Sequence, residues 1–167
     1  MDKKHMHVAV FLALALLVGC GPTEPPRTEM AQAEPSMAAD ALKAYFRELA
    51  SGEYEEAASY YGGSYQILRD QNPQVDPDDH RLLFQQACES NGYICLPVGE
   101  VVDIQEISPE EFAFSVEFIM PGGEVFVRGP CCGASEEDMP RQSSFEFRVA
   151  RDETGQYRVM DLPVYVP

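Results

Sequence analysis

The chain has 167 residues, 45% of them hydrophobic, no Trp, and a formal net charge of −16. A surface this acidic repels phosphate backbones and anionic lipid, which argues against nucleic-acid binding and against an electrostatic membrane contact. It serves first as a solubilising surface.

Residues 1–19 carry a basic start at Lys3 and Lys4 and then an apolar run from Val8 to Val18. That run is little more than half of the roughly 20 residues needed to span a bilayer, so the segment reads as a secretory signal. Leu17-Val18-Gly19-Cys20 follows it and resembles the lipobox of bacterial lipoproteins. The resemblance implies cleavage before Cys20, acylation of its sulfur and anchorage in the membrane from the extracytoplasmic side. No Asp follows Cys20, which resembles the export pattern to the outer membrane if the organism is diderm. Each buried methylene contributes about 0.8 kcal/mol, so two or three chains on Cys20 hold firmly. The signal carries Asp2, Lys3 and Lys4, and the remaining 148 residues carry a formal charge of −17.

Residues 20–36 hold Cys20 and then GPTEPPRTEMAQAEPS, with four prolines and no aromatic. This composition predicts a disordered tether that spans roughly 20–25 Å as a coil and about 50 Å extended. Residues 37–167 are expected to form a single monomeric domain.

Ala38, Ala41, Leu42, Tyr45, Phe46 and Leu49 recur at three and four, predicting a helix with Ser36 as N-cap and Gly52 at its end. A second short helix follows, with Tyr54, Ala57, Ala58 and Tyr61 on one face, stopped by Gly62-Gly63. After a polar loop, Asp78 or Asp79 caps a third helix carrying Leu82, Leu83, Phe84, Ala87 and Cys88. The period then changes. Residues 98–107 read as a strand, and Phe112, Phe114, Val116 and Phe118 alternate with small or polar residues, as a half-buried strand requires. Residues 124–128 read as a further strand. Phe145, Phe147 and Val149 alternate again, residues 152–155 turn, and residues 156–166 close the sheet. Helices followed by an antiparallel meander predict an α+β fold: two or three helices packed on a curved antiparallel sheet of four to five strands.

Residues 42–62, LKAYFRELASGEYEEAASYYG, resemble the opening of nuclear-transport-factor-2-like, or cystatin-like, domains. The shared pattern is an aromatic-bearing helix, a break at Gly52-Glu53-Tyr54, and Ala57-Ala58 in the next helix. The resemblance implies a cone-shaped pocket between the helices and the curved sheet, which Tyr45, Tyr61, Phe114 and Phe147 would line. At helical and strand spacing the same rings are first of all core.

The sequence is poor in catalytic sets. His80 is the one histidine outside the signal, and its flanking Asp76, Asp78 and Asp79 suit a helix start as well as acid–base work. Residues 70–79 look briefly like a calcium loop. Val75 stands where that loop needs glycine and Arg81 where it needs a bidentate Glu, so no metal or cofactor is expected. Cys88, Cys95, Cys131 and Cys132 are an even set that reads as disulfides outside the cytoplasm. Adjacent cysteines have Cα atoms about 3.8 Å apart, shorter than a disulfide prefers. Cys131 and Cys132 are therefore expected to reach back to Cys88 and Cys95, the nested pairing Cys88–Cys132 and Cys95–Cys131 being favoured over the crossed one. Soft-metal capture by the adjacent thiols stands as the alternative. The expected function is non-catalytic binding of a small ligand or an envelope protein, the alternative being an isomerase- or hydrolase-type enzyme using the cone.

Overall fold

A computed structural model describes residues 27–166. The expected signal segment and Cys20 lie outside the described residues. The fold is α+β: four helices against a curved antiparallel four-stranded sheet, with a separate two-stranded sheet.

Helix α1 (Arg27–Ser51) buries Ala38, Leu42, Tyr45, Phe46 and Leu49, the stripe that the three-and-four spacing predicts. Its end is a Schellman arrangement. Gly52 takes φ +80°, Gly52 N–H donates to Leu49 O, and Glu53 N–H donates to Glu48 O at 2.9 Å. Its start differs from expectation. The helix begins inside the stretch read as tether, with Pro35 and Ser36 within it, so Ser36 is no N-cap. Composition alone argued for disorder there, but Glu34 pairs with Arg151 at the end of a sheet strand, 3.3 Å away, and gives the segment a tertiary anchor.

Helix α2 (Tyr54–Ser59) packs on α1, and α4 (His80–Glu89) packs on α2. The Asp79 carboxylate caps α4 by accepting from Leu82 N–H at 2.9 Å. Between them, the stretch expected as a polar loop contains α3 (Gln66–Gln71), pinned by the buried Leu68. Asn72 ends α3 and is 2% exposed. Its amide nitrogen donates to Leu68 O, and its amide oxygen accepts from Asn91, so the buried polar group is satisfied on both sides.

The large sheet runs β2 (Val98–Ser108), β3 (Glu111–Phe118), β4 (Ser144–Arg151) and β5 (Tyr157–Val159), in that order. Register fixes its two faces. Phe112 opposes Val149, Phe114 opposes Phe147 and Val116 opposes Phe145 on the inner face, while Ala113–Arg148, Ser115–Glu146 and Glu117–Ser144 form the outer one. Phe46 from α1 drops between Phe118 and Phe147, with both ring centroids 4.8 Å away.

Two expected strands come out differently. Residues 156–166 do not form one strand closing the sheet. The chain leaves β5 after Val159, Pro163 lacks the N–H a ladder needs, and β6 (Val164–Tyr165) pairs instead with β1 (Tyr93–Ile94). Gly92 makes that pairing possible, since a Cβ there would lie 2.5 Å from Val166 O. Residues 124–128 make only isolated bridges, Ile119 with Val125 and Arg128 with Gln142.

Candidate functional site

The four rings expected to line a cone lie in the packed core. Tyr45 and Phe114 are fully buried, Phe147 is nearly so, and Tyr61 stacks on Tyr45 with ring centroids 6.0 Å apart. Phe46, Phe118 and Phe84 occupy the space between helices and sheet that a ligand would need, which is why these positions are core. Clefts among the described residues lie outside this core. One of about 640 Å³ opens between α1 and the β4–β5 hairpin beside Ala41, Ala44, Tyr60 and Tyr157.

The polar chemistry around the aromatic cluster is sparse. Tyr45 Oη is buried without a hydrogen-bond partner, and burial pushes its pKa well above the ordinary value. Tyr61 Oη donates to Ser64 O at 3.0 Å. Burial also raises Tyr61, and pushes Tyr65 up to about 12. These phenols resist ionisation, which is the opposite of what a general base requires. The His80 ring stacks on Tyr65 with centroids 3.8 Å apart and planes nearly parallel, and its Nε2 is buried and unpartnered. Asp79 spends its carboxylate on Leu82 N–H and on Arg81, 3.9 Å away. An Asp–His acid–base arrangement is not assembled.

The cysteines pair otherwise than expected. Cys88 bonds Cys95, with Cα atoms 5.6 Å apart, and ties the end of α4 to the segment after β1. Cys131 and Cys132 are free, the first half-buried and the second exposed. The reason is local. The loop carrying them folds on itself, with Ala134 N–H donating to Cys131 O, Met139 N–H to Ser135 O, and Ser135 Oγ to Asp138 at 2.8 Å. Mutual backbone bonds between Arg128 and Gln142 close its base. The Cys131 thiol is held above its ordinary pKa, chiefly by its hydrogen bond with Cys132, then by burial and the neighbouring sulfur, while Arg128 pulls the other way.

The two edges of the large sheet are treated unequally. At β5, Val159 N–H donates to Tyr60 O and Gly62 N–H donates to Val159 O, so the chain after α2 seals that edge. At β2, the 11-residue strand pairs with β3 on one side, and no strand lies on the other among the described residues. Most of β2 is exposed, with Val102 at 46%, Ile104 at 46% and Ile107 at 49%. Ile104 opposes the buried Phe114 and therefore projects on the inner face, beyond the cover of the helices. Glu100 opposes Glu117 and Asp103 opposes Ser115, which makes the outer face acidic.

No protein-family model, curated protein or solved structure matches the chain. Function has to be argued from the site itself. Sequence reasoning passed over β2 as a site because an exposed edge strand with register shifts after Val98, Val101 and Glu106 carries no clean alternation. The available signal was the mixture of Val, Ile and acidic residues within one strand.

Proposed function

We propose that the protein is a lipid-anchored module of the bacterial cell envelope that binds a protein partner by strand addition along β2. In this reading Cys20 holds the chain to the membrane, and the α+β fold is a cystatin-like cone whose interior is filled by aromatic side chains rather than kept open for a ligand. One observation carries the choice of partner over small ligand or enzyme. The interior is packed, whereas an 11-residue strand presents an unpaired edge. An extended segment laid along such an edge gains main-chain hydrogen bonds and takes its specificity from alternate side chains.

The chemistry of the edge selects the occupant. β2 carries Glu100, Asp103 and Glu106 and no basic residue. A second copy of β2 would set like charges against each other, which is unfavourable in cross-strand pairs. A segment alternating Lys or Arg with Val or Ile suits both faces, its cations over the acidic outer face and its apolar side chains beside Ile104.

Hydrogen exchange followed by mass spectrometry tests this on the full-length protein in detergent micelles, with an alternating Lys–Val peptide as probe. Protection gained across residues 98–108, with β5 unchanged, is the expected result. A peptide N-methylated at every backbone amide keeps the charge but has no N–H donor on either edge, and should give no protection. Equal protection by both peptides, or none by either, refutes strand addition. The anchor is tested separately: radiolabelled palmitate should enter the native protein and not Cys20→Ser, and incorporation into that variant overturns the assignment.

A further inference from the structure

The loop between β3 and β4 holds two free thiols side by side in a protein assigned to an oxidising compartment, and neither takes part in the proposed docking edge. Cys131 lines a cleft of about 200 Å³ together with Arg128, Gly129, Met139, Tyr165 and Val166. Cys132 follows with φ +60°, the one non-glycine residue at positive φ among the described residues. The cleft thus collects a thiol and a thioether, and the second free thiol is the next residue in the chain. We propose that Cys131, Cys132 and Met139 form a binding site for copper(I).

The ligand chemistry singles out this ion. Thiolate and thioether sulfur select soft cations, copper(I) foremost among the common ones. Zinc would need four ligands in a tetrahedral set. No cluster of three or more His, Cys, Asp or Glu able to hold a metal occurs among the described residues, so a fourth donor of the kind zinc uses is not at hand. The nearby carboxylates are already engaged, Asp138 with Ser135 and Glu136 with Arg141. Three sulfurs without a carboxylate or imidazole suit a low-coordinate, soft ion.

Charge supports the assignment. Binding forms two thiolate–copper bonds and one thioether–copper bond, breaks two S–H bonds and releases both protons to solvent, while the copper stays in the +1 state. The resulting dithiolate complex carries one net negative charge. Arg128 lines the same cleft, is held by a hydrogen bond to Gln142 Oε1 and by stacking over Phe145, and has no carboxylate partner among the described residues. Its guanidinium is available to offset that charge.

The experiment uses the full-length protein in detergent, isolated without reductant so that the Cys88–Cys95 bridge stays closed. A thiol count is taken first, and copper(I) is then added anaerobically against a competing chromophoric chelator. Two free thiols where Cys20 is acylated, three where it is not, and one copper(I) per chain are expected. Cys131→Ser and Cys132→Ser, both in a loop outside the core, should each abolish one-to-one binding with the unfolding midpoint unchanged. Met139→Leu should weaken binding about 10-fold or more, as when a supporting group is removed from a metal site. Tight binding retained in either cysteine variant overturns the proposal. So does a thiol count of zero, a stoichiometry of one copper per two chains, or zinc binding as tightly as copper(I).

Discussion

Replacing Phe46 by Ala tests whether the space between helices and sheet is filled. Phe46 is fully buried, and its ring meets three others edge-on: Tyr45 at 5.0 Å, Phe118 at 4.8 Å and Phe147 at 4.8 Å. Truncating a buried Phe to Ala costs about 3–5 kcal/mol, the upper end applying where neighbours cannot collapse into the gap. Each edge-to-face pair contributes about 0.5–1.5 kcal/mol beyond its area, and three are lost together. The neighbours that would have to move are the inner-face residues of β3 and β4, held in register by a continuous ladder. The expected loss is therefore about 4–5 kcal/mol, with Tm lower by something on the order of 10–20 °C. Urea unfolding of the full chain, followed by far-ultraviolet circular dichroism, measures it. A loss below about 1.5 kcal/mol would mean that Phe46 already faces open space, and the argument from a filled interior to a protein partner would fail with it.

The tyrosine cluster gives a prediction in pH. The folded protein holds Tyr65 at about 12, chiefly through burial, and raises Tyr45 and Tyr61 for the same leading reason. An unfolded tyrosine ionises near pH 10, so the native state retains protons that the unfolded state releases. Stability contributed by these phenols is complete below about pH 10 and declines as pH climbs from 10 towards 12 and beyond. Tyrosinate absorbance should show Tyr45, Tyr61 and Tyr65 ionising only with unfolding. All eight tyrosines titrating near pH 10 with the fold intact would refute the burial argument.

The sequence was most informative where periodicity and punctuation coincide. The α1 stripe from Ala38 to Leu49 ends at Gly52, whose positive φ and paired cap bonds are what a glycine after an apolar periodic run announces. Asp79 before Leu82-Leu83-Phe84 likewise marks a capped helix start. The Phe-x-Phe alternations of β3 and β4 survive because both faces of these central strands are specified. Reading failed where one residue carries the decision. α3 rests on Leu68 and a buried Asn72, too little for a period to show. β6 follows from a proline and from Gly92 some 70 positions earlier, a long-range match that no local window contains. The disulfide was mispaired because spacing cannot reveal that residues 129–143 fold upon themselves and keep Cys131 and Cys132 to their own loop. β2 left no periodic trace, since exposure on both faces removes the contrast on which alternation depends.

The unequal treatment of the sheet edges has a consequence for assembly. Strand addition propagates into a fibre only when each unit offers both a donor and an acceptor edge, because open-ended growth needs two complementary surfaces. Here residues 60–62 occupy the β5 side from within the same chain, so the sheet has a valence of one. A unit of valence one terminates whatever strand array it joins. If the proposed strand addition holds, molecules built this way would form closed one-to-one pairs with a partner strand and have no geometric route to a polymer through the sheet.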